Sequence, residues 1–145
     1  MNSRKLIATL VYCGWVLLLA LGIYAPRGVA GQVVSGVYKV TEATDLGIEV
    51  RVTLQIRLMN SGEDRIFVTQ ARLRGFPHSG RSEDKPARVI LGPHGSSEFT
   101  QEFTIAKQEY ELWSKGARPH LGLKLLIGER ETTMTVTLMR DPRSR

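Results

Sequence analysis

The sequence predicts an all-β domain of about seven strands, packed as an antiparallel β-sandwich with one short crossing helix and preceded by an N-terminal hydrophobic helix. Three observations predict this fold class. After residue 32, apolar and polar side chains alternate with a period of two, which is typical of half-buried strands. Turn sequences rich in Gly, Pro, Asn and Asp separate these segments. The first thirty residues instead contain one long apolar run. A small barrel is the alternative arrangement of the strands.

The apolar run, residues 6–25, predicts either a membrane anchor or an export signal. Arg4 and Lys5 precede about 20 uncharged residues, and a helix of that length spans roughly 30 Å, the thickness of a hydrocarbon core. That length exceeds the roughly 7–15 residues of a usual signal-peptide core and favours an anchor. Gly28 and Ala30 supply the small residues of a cleavage site and favour removal.

Residues 1–30 are therefore predicted to be a signal anchor, with the membrane span at about 6–25, or a signal peptide cleaved after Ala30. The side chains assigned to the anchor are Leu6, Val11, Trp15, Leu18, Leu21 and Ala25. The basic residues before the span favour a cytoplasmic N-terminus. The expected location is the inner (cytoplasmic) membrane, crossed once, with the domain on the periplasmic or outer side. The alternative is a secreted or periplasmic protein.

Residues 31–145 have the size of one domain with its own core. Three of the 20 Lys and Arg residues lie before residue 31, which leaves 17 basic against 14 acidic side chains. This small excess is not typical of nucleic-acid binding, so no nucleic-acid partner is expected. Cys13 is the only cysteine and lies within the apolar run. The domain therefore has no disulfide and depends on its hydrophobic core.

The first three strands follow in order along the chain. A weak alternation opens the domain at residues 33–42, and the clearest strand follows at residues 49–58. The inner face of that second strand is predicted to consist of Val50, Val52, Leu54, Ile56 and Leu58. After turn chemistry at residues 60–64, the third strand covers residues 65–74. Its predicted inner face consists of Phe67, Ala71 and Leu73.

A long loop, residues 75–87, contains Pro77, Gly80 and Pro86 and has no periodicity. A short strand at residues 88–91 and a tight turn at residues 92–95 follow it. The next strand is predicted to turn inward Ser97, Phe99, Gln101, Phe103 and Ile105.

The period then changes, and residues 106–115 are predicted to form a helix. Gly116 stands at the position after a helix C-terminus that favours glycine. Tyr110 and Trp113 are three residues apart and suit either helix packing or a ligand platform. Two further alternating segments complete the domain. Their predicted inner residues are Leu121, Leu123, Leu125, Ile127, Met134, Val136 and Leu138.

Two segments carry a resemblance to a known family. The strand at residues 52–59 running into Asn60-Ser61-Gly62 resembles the second strand and N-x-G turn of bacterial immunoglobulin-like and fibronectin-III-like domains. Residues 91–96 resemble the L-x-P-G-x-S entry to their middle strand, although His94 departs from that pattern. The resemblance covers about residues 33–140, implies an immunoglobulin-like sandwich for the domain at residues 31–145, and transfers no site residues.

No catalytic, cofactor-binding or metal-binding residues are assigned. The three histidines, His78, His94 and His120, fall in three separate loops without a metal-ligand spacing. Neither G-x-S-x-G nor the phosphate-binding glycine motifs occur. The protein is therefore expected to be no enzyme and to need no cofactor.

The expected recognition surface combines the long loop with the connection at residues 114–120. The residues assigned to partner binding are Phe76, His78, Arg81, Lys85, Arg118 and His120. Arginines on the outer strand faces, Arg51, Arg57, Arg72 and Arg74, suit either a solvated face or a patch for an acidic partner or lipid headgroups.

The predicted function is that of a non-enzymatic protein-binding or scaffolding module, tethered to the membrane or exported. Its partners would be the membrane, through the uncleaved helix, and another envelope or membrane protein. It would serve as an accessory subunit of such a complex. The alternative is a soluble periplasmic carrier of a small ligand or metal.

Overall fold

The computed structural model describes residues 33–75 and 83–143, which form seven strands and one short helix. In chain order the elements are β1 (Val34–Asp45), β2 (Glu49–Asn60), β3 (Ile66–Arg74), β4 (Lys85–Leu91), β5 (Ser96–Ala106), α1 (Lys107–Ser114), β6 (His120–Ile127) and β7 (Arg130–Arg140). The all-β class, the strand number and the single helix are confirmed. Among the described residues no helix is long and apolar enough to cross a membrane. The predicted anchor, residues 6–25, lies outside the described residues.

The strands form one mixed sheet in the order β4-β3-β6-β7-β1-β2-β5. β7 joins its two halves: it pairs antiparallel with β6 over most of its length, and its last residues pair parallel with β1 at Gly36–Tyr38. The outermost strands, β4 and β5, are consecutive in the chain and contact each other across the turn at residues 92–95. The sheet is therefore curled into a nearly closed barrel.

The prediction of an antiparallel immunoglobulin-like sandwich is wrong. The sheet is continuous from β4 to β5 and contains the parallel β1–β7 pair, whereas a sandwich consists of two separate antiparallel sheets. Alternation of side chains determines which face a strand buries, but it does not determine which strand lies beside it. The small barrel that the sequence left as an alternative is nearer to the observed architecture.

Apolar side chains from every strand fill the interior. The largest that are almost completely buried are Leu54, Ile56, Leu58, Ile66, Leu91, Leu121, Leu123, Leu125 and Leu138. The predicted inner faces of β2, β6 and the end of β7 are confirmed by this burial. β1 approaches the core at Gly36, where an added Cβ would lie 2.7 Å from the Cδ2 atom of Leu138.

β3 departs from the predicted face. Its pairing shifts register between Val68 and Gln70, on both its β4 side and its β6 side. Such a bulge changes which side chains point inward. Ile66 and Val68 are therefore buried before the bulge, and Phe67, predicted to face the core, is 40% exposed. β4 also begins earlier than predicted, at Lys85 instead of residue 88.

Candidate functional site

A cleft of about 610 Å³ lies between α1 and the ends of β3, β6 and β7. We call it the helix-end cleft. It is lined by Arg74, Gly75, Glu109, Trp113, Gly116, Ala117, Arg118, Pro119, His120 and Thr137. Its volume falls within the roughly 300–1,000 Å³ of typical ligand pockets.

The C-terminus of α1 forms one wall of this cleft. Gly116 has a φ of 99°, a left-handed conformation that glycine adopts without a steric penalty, and its N–H donates to the Trp113 carbonyl over 3.1 Å. This confirms the predicted role of Gly116 at the helix end. The Ala117 N–H donates to the carbonyl of Leu112 over 2.9 Å, and the Pro119 carbonyl accepts from the Leu138 N–H over 2.8 Å. Residues 116–119 are therefore held to both the helix and β7.

Trp113 provides the aromatic part of the cleft. It is buried, 5% exposed, and its ring meets Tyr38 of β1 and Tyr110 of α1 edge to face, each at a centroid distance of 6.1 Å. Burial raises the pKa of the Tyr38 hydroxyl, while the charge of Arg140 partly opposes that change. The indole is thus fixed by its neighbours, and the small part of it that stays exposed is a rigid apolar contact point in the cleft.

Three exposed polar side chains form a row across the other wall. Arg74 is the register partner of His120 in the β3–β6 pair, and His120 is the partner of Thr137 in the β6–β7 pair. The Thr137 hydroxyl lies 3.0 Å from the Nδ1 atom of His120. This contact fixes the imidazole and leaves Nε2 as its other hydrogen-bonding nitrogen.

Gly122 determines where the Arg74 side chain lies. A Cβ at Gly122 would stand 3.2 Å from the Nε atom of Arg74 and 3.7 Å from its Cγ atom. The arginine side chain therefore runs across the β6 backbone at the position where β6 lacks a side chain.

The arginines differ in their ion pairs. Arg51 lies 3.8 Å from Glu102, Arg57 lies 3.1 Å from Glu98, and Arg72 lies 2.7 Å from Asp84. Within residues 33–75 and 83–143, no carboxylate oxygen lies within the 4.0 Å ion-pair distance of Arg74 or Arg118. Both of these arginines line the helix-end cleft, whereas the other described arginines without a carboxylate at that distance do not: Arg65, Arg88, Arg130, Arg140 and Arg143.

Asp84 forms an ion pair with Arg72 and neutralises its charge. The Arg72 guanidinium donates to its carboxylate over 2.7 Å, and Lys124 lies 3.7 Å from its second oxygen. The hydrogen bond from Arg72 holds the pKa of Asp84 below its usual value. The predicted patch of outer-face arginines is therefore largely neutralised, with Arg74 as the exception.

The residues predicted for partner binding fall into three groups. Arg118 and His120 line the cleft. Lys85 begins β4, where its Nζ atom lies 2.8 Å from Glu83, and it does not line the cleft. Phe76, His78 and Arg81 lie outside the described residues.

Sequence reasoning did not assign Arg74, Glu109, Trp113 or Thr137 to this site. Their association depends on strand register and on where α1 packs, which the alternation pattern does not contain. Two positions in the sequence could have pointed to the cleft. Gly116 marks the end of α1, Arg74 marks the end of β3, and both residues line the cleft. In the part of the chain that the structure describes, no three His, Cys, Asp or Glu side chains are grouped to hold a metal ion.

Neither a protein-family model nor a curated protein sequence matches this chain. Solved structures with similar folds include a protein described as late embryogenesis abundant (LEA), at 13% identity and a TM-score of 0.48, covering 92% of this chain and 84% of that one. A protein from Archaeoglobus fulgidus has 11% identity and a TM-score of 0.41, covering 72% of this chain and 89% of that one. A Northeast Structural Genomics Consortium target has 8% identity and a TM-score of 0.40, covering 76% and 86%. The predicted resemblance to immunoglobulin-like and fibronectin-III-like domains is wrong because the sheet is continuous and contains the parallel β1–β7 pair.

Proposed function

We propose that this chain is a non-enzymatic protein-binding module that is exported by its N-terminal segment and recognises another envelope or membrane protein through the helix-end cleft. The observation that carries the proposal is the cleft itself. It is concave, it has a rigid aromatic surface at Trp113, and its rim bears arginines that have no acidic partner among the described residues. Such a combination is typical of protein-recognition sites, which are enriched in Trp and Arg.

The N-terminal sequence supports a tethered form of the module. Arg4 and Lys5 followed by the apolar residues 6–25 suit a single membrane span with the domain on the outer side. A tether concentrates the domain next to other membrane proteins, so a modest affinity of the cleft is sufficient for stable association. The intact mass of the protein from its native host distinguishes this form from one cleaved after Ala30.

Site-specific photocrosslinking tests whether the cleft is the contact surface. Because Cys13 is the only cysteine, a full chain carrying Cys13→Ser accepts one new cysteine as the single attachment point for a crosslinker. We choose Ala117→Cys, which lines the cleft, and Thr104→Cys, which is exposed on β5 away from it, as the matched control.

In native membranes the Ala117 probe should form one saturable, near-stoichiometric adduct with a specific protein, and the Thr104 probe should not. Equal labelling from both positions, or a diffuse mixture of adducts from Ala117, would contradict the proposal.

The second candidate is a carrier of a small ligand, and the volume of the cleft favours it. Native mass spectrometry of the protein purified from its own host separates the two functions. A carrier should retain a bound small molecule, which Ala117→Trp should displace by filling the cleft. The protein-binding module should be isolated without one.

A further inference from the structure

We infer that the helix-end cleft recognises a carboxylate on an acidic segment of the partner, with an adjacent apolar or aromatic side chain of that segment packed on Trp113. This inference rests on the proposed function, because it specifies what the partner presents. Its first support is that the two arginines of the cleft, Arg74 and Arg118, have no carboxylate neighbour among the described residues, so that their guanidinium groups are open to an anionic group of a partner.

The charged side chains of the lining suit an anionic group. Among the described residues, the cationic side chains of the cleft are Arg74 and Arg118, and both are exposed. A carboxylate is the anionic group that a protein partner supplies without modification, and its two oxygens match the donors of a guanidinium.

Arg74 and His120 lie side by side on the cleft wall, where both can donate to a planar anion. Arg74 lies across Gly122, and the Thr137 hydroxyl fixes the His120 ring beside it in the β3–β6 register. A guanidinium offers paired N–H donors that match the two oxygens of a carboxylate. Preorganised donors reduce the ordering that binding requires.

Trp113 provides the apolar contact for the bound segment. Its ring is locked by edge-to-face contacts with Tyr38 and Tyr110, so it presents a fixed surface close to the arginines in the same cleft. Because Trp113 is 5% exposed, an aromatic neighbour of the bound carboxylate would meet the exposed edge of the ring and gain ring contact there. An acidic residue next to an aromatic one is therefore the expected motif.

Capped tetrapeptides test this motif on the full chain in detergent. The probes are acetyl-Gly-Glu-Phe-Gly-amide, the same peptide with Gln in place of Glu, and the same peptide with Ala in place of Phe. Titration calorimetry gives the affinity. In a Trp15→Phe chain, Trp113 is the remaining tryptophan, so a change in its fluorescence locates the peptide in the cleft.

The Glu-Phe peptide should bind and perturb the tryptophan, and each altered peptide should bind about tenfold more weakly or worse. Arg74→Gln and Arg118→Gln should each reduce affinity for the Glu-Phe peptide by a similar factor and remove the preference for Glu over Gln. Arg57→Gln, a matched change on β2 outside the cleft, should leave both unchanged. Equal affinity for the Glu and Gln peptides overturns the inference.

The crosslinking experiment separates this inference from the proposed function. If the Ala117 adduct persists undiminished in an Arg74→Gln, Arg118→Gln chain, the module binds its partner without a carboxylate contact and only the inference fails. If that adduct is lost while the Arg57→Gln chain retains it, the result supports both the protein-binding function and the carboxylate contact. Phenylacetate, a small aromatic carboxylate, tests the carrier function. If it binds in the cleft while neither the peptides nor any protein bind, the protein-binding function and the inference both fail and the carrier function replaces them.

Discussion

The side-chain amide of Asn60, the last residue of β2, donates a hydrogen bond of 2.9 Å to the carbonyl oxygen of Gly92, which follows β4. The same nitrogen donates to the Asp64 carbonyl over 2.7 Å, and the Asn60 Oδ1 atom accepts from the Gly62 N–H over 2.9 Å. Asn60 is 3% exposed. One buried amide therefore joins the turn between β2 and β3 to the turn between β4 and β5, which brings the two ends of the sheet together.

We expect Asn60→Ala to destabilise the domain by about 2–4 kcal/mol, because the Asp64 carbonyl and the Gly62 N–H lose the bonds that Asn60 makes and each such group costs roughly 1–3 kcal/mol. The Gly92 carbonyl loses one bond and keeps the one from the Gly95 N–H. Asn60→Asp should be at least as damaging at neutral pH, because a carboxylate cannot donate to the two carbonyl oxygens. Urea unfolding of the full chain measures both. Ser61→Ala, which removes one exposed hydrogen bond to the Val33 carbonyl, is the control and should cost less than about 1 kcal/mol.

Gly36 occupies a position where β1 has no room for a side chain. A Cβ there would lie 2.7 Å from the Cδ2 atom of Leu138 and 3.0 Å from the Cδ2 atom of Leu58, both of which are buried. Gly36→Ala should therefore destabilise the domain by about 1–3 kcal/mol through overpacking. Gly92→Ala is the matched control, because nothing lies within 4 Å of its added Cβ. A shift of the unfolding midpoint in both variants alike would show that the β1–β7 contact is not the cause.

His94 adopts a left-handed conformation, with a φ of 49°, in the turn between β4 and β5. That conformation costs a non-glycine residue about 1–2 kcal/mol, and the greater unfolded-state entropy of glycine offsets part of the gain. We expect His94→Gly to raise the free energy of unfolding by about 0.5–1 kcal/mol. Because His94 also lies 2.9 Å from the exposed Glu63 carboxylate, Glu63→Gln is measured beside it. A stability loss in His94→Gly larger than that in Glu63→Gln would contradict the strain argument.

The pH dependence of stability should contain a contribution from Asp84. The pKa of the Asp84 carboxyl lies below 3.8, mainly because Arg72 donates a hydrogen bond to it, and the charge of Lys124 lowers it further. A carboxyl group whose pKa is lower in the folded state stabilises the fold above its unfolded pKa, and that stabilisation is lost as the pH falls through the folded value. Asp84→Asn should therefore be less stable than the natural chain at pH 7. The difference should shrink as the pH falls from about 5 to below 3. A difference that does not vary with pH would exclude the ion pair as its source.

Local patterns predicted the strands well where one face is buried without interruption. β2 is the clearest case, because its alternation from Val50 to Leu58 continues without a bulge and each apolar residue is buried. β3 was predicted less well, because the register shift between Val68 and Gln70 exposes Phe67 and buries Ile66. A bulge depends on the partner strands, so the alternation of one strand cannot reveal it.

The cleft was predicted only where it is built from a single segment. Arg118 lies in the connection after α1 and His120 begins β6 directly after it, and the helix end at Gly116 marks this segment in the sequence. Arg74 joins them only through the β3–β6 register, and Trp113 only through its packing against Tyr38. Both relationships are long-range. For the same reason the parallel β1–β7 pair could not be derived from the pattern.

The position of Gly122 provides the sharpest link between the fold and the proposed recognition. Its added Cβ would meet the flexible Arg74 side chain at 3.2 Å and the Arg72 carbonyl at 3.6 Å. Gly122→Ala should therefore leave stability unchanged or raise it by up to about 1 kcal/mol, because glycine weakens a strand interior. The same change should weaken binding of the Glu-Phe peptide, since Arg74 must leave its place across β6.

A double-mutant cycle decides whether Arg74 carries that effect. In an Arg74→Gln chain, the further change Gly122→Ala should cause little additional loss of affinity, since the displaced guanidinium is already absent. Additive losses would mean that the new methyl group blocks the cleft directly. No loss from Gly122→Ala, together with a loss from Arg74→Gln, would mean that the arginine binds from a different position. The cycle thus tests whether the missing side chain on β6 is the feature that places the cation in the cleft.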